Sequence, residues 1–125
     1  MSAETGPVIV VAEDDEGFRR TLQEILTAEG YSVITAADGA SALQVLEDSH
    51  PRLVVLDWEM PGIDGAGFRK AQALSPAIAN VPVLVLTGDR RALEDAKKAG
   101  VERTLSKPVG LAVFLAAVAE LCEIA

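Results

Sequence analysis

Acidic, hydroxyl and amine side chains follow the short apolar runs of the sequence. An acidic stretch, residues 13–16, comes after the first run, and Asp57, Thr87 and Lys107 each come after a later one. Carboxylates that share a pocket repel one another and therefore require a proton or a bound cation. A site made of oxygen ligands suits Mg²⁺, which keeps several waters and often bridges to phosphate. With a hydroxyl and an ammonium group added, the pocket is similar to a phosphoryl-transfer site in which Asp57 is the attacking group.

The apolar runs predict the strands that position these side chains. The runs at 8–11, 53–56 and 83–86 are continuous and rich in β-branched residues, which is typical of parallel strands buried on both faces. Weaker strands are predicted at 32–36 and 103–106, the second of them short and polar like an edge strand. Because the carboxyl ends of parallel strands share one edge of the sheet, we expect the polar side chains to converge on one crevice there.

Apolar residues at spacings of three and four predict a helix after each strand. The predicted helices cover 18–29, 40–47, 66–74, 92–99 and the segment after Pro108. Gly30 and Gly100 stop the first and the fourth helix, and glycine suits the left-handed conformation at a helix end. Five alternations of strand and helix predict an α/β fold. It is a (βα)5 doubly wound parallel five-stranded sheet with right-handed crossovers and the flavodoxin-like strand order 2-1-3-4-5.

Composition limits the classes of protein that are possible. The chain has 125 residues, half of them hydrophobic, and a formal net charge of -8. This excludes a disordered acidic tail and argues against direct nucleic-acid binding. A single cysteine, Cys122, indicates a reducing compartment, and the longest uncharged apolar run, 109–119, is shorter than the about 20 residues that span a bilayer. With no signal peptide visible, we expect one cytoplasmic domain over 1–125, with an ordered core at about 7–124 and no membrane contact.

Four motifs carry a family resemblance. Residues 57–65, Asp-Trp-Glu-Met-Pro-Gly-Ile-Asp-Gly, resemble the D-x-x-M-P-x-x-D-G signature of response-regulator receiver domains, of the kind found in chemotaxis regulators. The resemblance covers the chain from Val8 to the last helix. Each motif is weak alone, but four in order, each at the end of a predicted strand, are specific. The other three are, in chain order, Glu13-Asp14 with Arg19 downstream, Thr87-Gly88 and Lys107-Pro108.

The resemblance implies phosphorylation of Asp57. This residue would accept a phosphoryl group from the phosphohistidine of a histidine kinase or a histidine phosphotransfer protein. Thr87 would donate a hydrogen bond to one phosphoryl oxygen, and Lys107 would pair with another. The peptide bond between Lys107 and Pro108 would be cis, as it usually is in this family.

The resemblance also implies a site for Mg²⁺ or Mn²⁺. Asp14 and Asp57 would bind the metal directly, together with the backbone carbonyl of Glu59. Glu13 would act through a bound water. Because three acids are consecutive, Asp14-Asp15 is a competing acidic pair, but Glu13-Asp14 has the family's spacing to the downstream arginine.

The family's usual output face is formed by the fourth helix, the fifth strand and the last helix. Phosphorylation would switch the conformation of this face, which would bind a downstream protein partner. Residues 89–107 hold six basic and four acidic side chains, whereas the rest of the chain holds five and fifteen. One interpretation of this region is an ordinary solvated helix face. The functional alternative is that this less acidic region is the partner surface.

Some positions bear on the switch and on how long the phosphorylated state lasts. Thr104 stands where the family often has an aromatic residue whose rotation is coupled to the hydroxyl that Thr87 supplies here. Pro61 and Gly62 belong to the loop after the third strand and have a structural role. Glu59 and Asp89 lie near the path of the attacking water in this family. We therefore expect these two carboxylates to tune the rate of dephosphorylation.

Two other functions remain open on the sequence. One is a receiver-like interaction module that phosphorylation does not regulate. The other is a phosphatase of the haloacid dehalogenase type, although that family has D-x-D where this chain has Glu59 and places its acidic cluster after the lysine. The chain could stand alone or belong to a longer protein, and it could be a monomer or a weak dimer.

Overall fold

A computed structural model describes residues 6–124. Within these residues the chain forms a five-stranded sheet in the order β2-β1-β3-β4-β5, with every neighbouring pair parallel. This confirms the predicted flavodoxin-like (βα)5 fold. The strands are β1 (Val8–Ala12), β2 (Ser32–Ala36), β3 (Leu53–Asp57), β4 (Val83–Thr87) and β5 (Arg103–Ser106).

Each strand is followed by a helix, and the first four helices begin one or two residues earlier than the apolar spacing predicted. The reason is that four aspartates cap the first turns: Asp15, Asp38, Asp64 and Asp89 each accept a hydrogen bond from a backbone N–H two or three residues on. A capped first turn can be polar or glycine-rich, so an apolar pattern does not detect it. The helices are α1 (Glu16–Ala28), α2 (Gly39–Ser49), α3 (Gly65–Ala73), α4 (Arg90–Lys98) and α5 (Leu111–Ile124).

The sheet is buried on both faces by two separate apolar clusters. Successive strand side chains point to opposite faces, so Val54 and Val85 pack on the side of α2, α3 and α4. Val55 and Leu84 pack on the side of α1 and α5. This two-sided burial explains the continuous apolar runs in the sequence, because an inner strand of this sheet has no solvent-facing position. Among the described residues no helix is long and apolar enough to cross a bilayer.

Strand register aligns the ends from which the polar side chains emerge. Ala12 pairs with Leu56, and Asp57 pairs with Leu86. Thr87, the last residue of β4, pairs with Ser106, the last residue of β5. Glu13, Asp57, Thr87 and Lys107 therefore lie at one edge of four adjacent strands, which is the carboxyl edge.

Candidate functional site

The β1–α1 segment presents two acids to the crevice and turns the third away. The Arg19 guanidinium donates to the backbone carbonyls of Glu13 at 2.9 Å and Asp14 at 3.4 Å, which holds the segment in place. Asp15 instead caps α1 by accepting the Phe18 N–H at 2.8 Å. This division of roles favours Glu13-Asp14 over Asp14-Asp15 as the acidic pair.

Three carboxyl groups meet at the carboxyl edge. Glu13, Asp14 and Asp57 each offer an oxygen that lies within 4.8 Å of the other two. Glu13 and Asp57 are buried, with 3% and 8% of their surface exposed, whereas Asp14 is exposed. Asp57 accepts a hydrogen bond from the Glu59 backbone N–H at 3.2 Å, which fixes its side chain at the end of β3.

Burial makes the charge on Asp57 costly. Desolvation, together with the smaller effect of the neighbouring charge of Glu13, raises the pKa of Asp57 from its usual 3.8 to about 7. The Glu59 N–H and the Lys107 ammonium act in the opposite direction. A carboxyl group in this position gains from a bound cation, and a set of carboxylate oxygens is the donor set that a hard divalent ion prefers. The residues present therefore fit Mg²⁺ or Mn²⁺.

Lys107 lies at the other side of the same crevice. Its backbone N–H donates to the Thr87 carbonyl at 2.9 Å, which places the residue at the end of β5. Its ammonium group pairs with Glu13 at 3.2 Å and lies 4.5 Å from the centroid of the Phe18 ring. The peptide bond between Lys107 and Pro108 is cis, as the resemblance implies.

The Thr87 hydroxyl connects the crevice to α4. The side chain is buried, and its Oγ1 accepts the Asp89 backbone N–H at 3.3 Å. Asp89 in turn caps α4 by accepting the Arg91 N–H at 3.0 Å. A change in the hydrogen bonding of Thr87 would therefore act directly on the first turn of α4.

The loop between β3 and α3 is shaped by close packing. Trp58 and Met60 are buried, and Gly62 has a φ of +79°, a conformation that favours glycine. Gly65 lies against the Trp58 ring so closely that a Cβ at this position would collide with it. Asp64 caps α3 by accepting the Gly67 N–H at 2.9 Å. The D-G pair thus has a packing role as well as a capping role.

The remaining predicted residues lie around this centre. Glu59 and Pro61 are exposed in the β3–α3 loop. Thr104 is half-buried on β5, paired with Val85 and therefore two positions before the Ser106–Thr87 pair. A groove of about 330 Å³ borders the crevice, between the β3–α3 loop and α4. Its lining residues are Trp58, Glu59, Met60, Asp64, Ala66, Asp89, Arg91, Ala92 and Asp95.

Phe18 is a residue of the site that the sequence analysis did not single out. Its spacing to later apolar residues predicted only a position on the buried stripe of the first helix, and the ring does pack at the edge of that cluster. The contact with Lys107 joins residues 89 positions apart, so no local pattern could reveal it. The usable signal was its place four residues after Asp14, on the first turn above the acidic pair.

Comparison with protein families decides between the candidate classes. The family model described as "Response regulator receiver domain" matches residues 9–119. The chain belongs to this family. Receiver domains are modules of two-component and phosphorelay signalling.

Individual relatives support the same assignment. The receiver domain is 30% identical over 100 residues to sporulation initiation phosphotransferase F of Bacillus subtilis. This match covers 80% of this chain and 81% of that protein. It is 44% identical over 79 residues to "probable transcriptional regulator ycf27" of Porphyridium aerugineum. That match covers 63% of this chain and 32% of the relative, so the chain spans about a third of that protein's length.

A solved structure shows the same fold. The structure of the chemotaxis response regulator CheY4 of Vibrio cholerae matches the receiver domain with a TM-score of 0.85 at 26% sequence identity. The match covers 94% of this chain and 99% of that one. The fold of the receiver domain is therefore CheY-like along almost its whole length.

Proposed function

We propose that Asp57 accepts a phosphoryl group from the phosphohistidine of a histidine kinase or a histidine phosphotransfer protein. The observation that carries the proposal is the meeting of Glu13, Asp14 and Asp57 beside Lys107. In the transfer, an Asp57 carboxylate oxygen forms a bond to phosphorus while the bond from phosphorus to the histidine nitrogen breaks. The imidazole leaves as the neutral group after taking up a proton, and an aspartyl phosphate remains.

Magnesium or manganese would be held by residues of the acidic side. The direct ligands would be Asp14, Asp57 and the Glu59 backbone carbonyl, with Glu13 acting through a water. When bound, the ion would neutralise negative charge on the phosphoryl oxygens and so lower the barrier to attack by the Asp57 carboxylate. The raised pKa of Asp57 supports this assignment, because a cation favours the ionised form that must attack.

Thr87 and Lys107 would bind the transferred group. The Thr87 hydroxyl would donate to one phosphoryl oxygen, while its oxygen currently accepts the Asp89 N–H. The Lys107 ammonium would pair with another oxygen and would then share its charge between Glu13 and the phosphoryl group. Thr87 is the last residue of β4, and the Lys107 backbone N–H is bound to the Thr87 carbonyl, so both side chains extend from the same edge of the sheet.

Phosphorylation would act on the face formed by α4, β5 and α5. The contact between Thr87 and the α4 cap provides the connection, and a second arrangement of this segment would be favoured by the new phosphoryl contacts. This face would bind a downstream protein. The chain would thus work as a single receiver domain in the cytoplasm, as a monomer or weak dimer without direct nucleic-acid contact. Its own chemistry would be limited to gaining and losing the phosphoryl group.

Incubation with acetyl phosphate and Mg²⁺, followed by intact-protein mass spectrometry, tests the proposal. We expect a gain of one phosphoryl group that is absent in Asp57→Asn and absent when EDTA replaces Mg²⁺. Asp48→Asn, an exposed carboxylate on α2, is the matched control and should be labelled like the parent. Steady hydrolysis of phosphate esters would instead indicate a phosphatase. A parent chain that gains nothing would indicate an interaction module that phosphorylation does not regulate.

A further inference from the structure

The Lys107 ammonium is held by one residue of the segment that links β1 to α1 and by one residue of the first turn of α1. One is the Glu13 carboxylate at 3.2 Å, whose side chain is only 4% exposed. The other is the face of the Phe18 ring, 4.5 Å from ring centroid to Nζ. The Lys107 side chain itself is 28% exposed, so solvent only partly screens either attraction.

Both partners of the ring contact are fixed by their own surroundings. The Phe18 backbone N–H is bound by the Asp15 carboxylate at 2.8 Å, and the ring packs at the edge of the apolar cluster beneath α1. The Lys107 backbone is bound to Thr87 at 2.9 Å. The contact therefore joins two anchored residues. Forming it restricts only the rotation of the Lys107 side chain.

An aromatic ring and a carboxylate hold a lysine in different ways. The Glu13 carboxylate accepts an N–H and neutralises the charge of the ammonium. The Phe18 ring attracts the ammonium through its quadrupole and takes up no strong hydrogen-bond donor. An ammonium has three N–H donors. With one given to Glu13, donors remain for an oxygen of an incoming phosphoryl group.

We propose that Phe18 is a positioning residue for phosphoryl transfer. Its ring holds the Lys107 ammonium beside Glu13 and aims the remaining N–H groups across the crevice toward Asp57. When the phosphoryl group competes with Glu13 for the lysine, the ring contact persists because it involves no competing anion. This role rests on the proposed phosphorylation of Asp57.

Two substitutions at position 18 separate the ring from its bulk. Phe18→Leu keeps an apolar side chain that packs on the same cluster but removes the ring face, and Phe18→Tyr restores the ring. Ile25→Ala on α1, which also packs on this cluster, is the control for a loss of packing under the helix. Acetyl phosphate is the phosphoryl donor, because a small molecule makes no protein–protein contact with α1 that the substitutions could disturb.

The rate of labelling at saturating acetyl phosphate and Mg²⁺ is the first measurement. We expect Phe18→Leu to slow labelling by about two- to five-fold, the effect of losing one partly exposed cation–π contact. Phe18→Tyr and Ile25→Ala should be labelled at the parental rate. Equal rates for Phe18→Leu and the parent, or a Tyr variant as slow as the Leu variant, would overturn the proposal.

Proton NMR of the Lys107 side chain is the second measurement, and it does not depend on activity. The ring current of Phe18 should move the Lys107 Cε protons upfield in the parent and in Phe18→Tyr, and this shift should vanish in Phe18→Leu. Ordinary lysine shifts in the parent would contradict the proposal. If the parent gains no phosphoryl group, the proposed function fails and the positioning role fails with it. If the parent is labelled and Phe18→Leu is labelled equally fast, only the positioning role fails.

Discussion

The inner strands and the edge strand of the sheet support the site in different ways. Every residue of β3 and β4 is buried, whereas β5 is exposed at both ends and half-buried between them. Asp57 and Thr87 therefore stand on rigid strands. Lys107 follows the edge strand, where its backbone is bound to Thr87 and its side chain is held by Glu13 and Phe18. Of the three side chains, the one that follows the edge strand is thus the one that an ion pair and an aromatic ring hold in place.

The two ends of α4 also differ in how firmly they are held. At the carboxyl end, the Arg69 guanidinium donates to the carbonyls of Gly100 at 2.9 Å and Ala99 at 3.4 Å, and also to the Gln72 side chain at 2.9 Å. At the amino end, the connection to the crevice is the single 3.3 Å bond from Asp89 to Thr87. We therefore expect a phosphorylation-linked change to be larger at the amino end of α4.

Truncation of two paired leucines should give the largest difference between the inner strand β4 and the edge strand β5. Leu86 on β4 is buried and pairs in register with Leu105 on β5, which is half-buried. We expect Leu86→Ala to lower the free energy of unfolding by about 2–5 kcal/mol, the range for a fully buried leucine. Leu105→Ala should cost less than half as much, because solvent fills part of the space. Urea unfolding of both variants measures the difference, and equal losses would show that β5 is packed as tightly as β4.

The raised pKa of Asp57 should appear as a pH dependence of stability. The folded chain holds the Asp57 proton up to about pH 7, whereas the unfolded chain releases it near the usual value of 3.8. Between these values the native state binds more protons, so stability falls as pH rises through this window. Asp57→Asn removes the ionising group, and at pH 8 we expect its Tm to exceed that of the parent by at least about 4 °C, equivalent to about 1 kcal/mol.

Thermal unfolding in EDTA at pH 5, 6, 7 and 8 measures this effect. Asp48→Asn is again the control and should keep the parental slope. Added Mg²⁺ should raise the Tm of the parent at pH 8 and leave that of Asp57→Asn much less changed, because a ligand of the native state stabilises only the chain that binds it. A parent whose stability is flat from pH 5 to pH 8 would contradict the raised pKa.

Arg69 provides a test of the anchored end of α4. Removal of its guanidinium in Arg69→Ala leaves the carbonyls of Ala99 and Gly100, just past the end of α4, without these donors. We expect the free energy of unfolding to fall by about 1–2 kcal/mol. Arg69→Lys should recover only part of it, since an ammonium cannot reproduce the planar fork. Urea unfolding gives the stability. Hydrogen exchange should show the loss of protection concentrated at residues 96–101, and a uniform loss along α4 would argue against a local anchor.

The sequence was sufficient for the strands and for the positions of the polar side chains at the carboxyl edge, because both follow from one-dimensional rules. A strand buried on both faces must be apolar at every position, and the carboxyl edge comes where the run ends, so Asp57, Thr87 and Lys107 could be placed from the sequence. The pairing of Lys107 with Glu13 and Phe18 could not. It depends on where a flexible side chain settles among groups brought together from distant parts of the chain. The starts of the first four helices were also placed one or two residues too late, because the first turn is capped by a single aspartate and shows no apolar periodicity.

The ion pair between Arg103 and Glu120 should contribute least, and its weakness is informative. It connects β5 to α5 with a separation of 2.6 Å, but both side chains are largely exposed, at 43% and 64%. Exposed pairs typically contribute about 0–1 kcal/mol and weaken with salt. We expect Arg103→Ala to change the free energy of unfolding by about 0.5 kcal/mol or less, with no difference from the parent in 1 M NaCl. A loss as large as that of Arg69→Ala would mean that β5 is held to α5 by charge, and the edge strand would then be as firmly anchored as the end of α4.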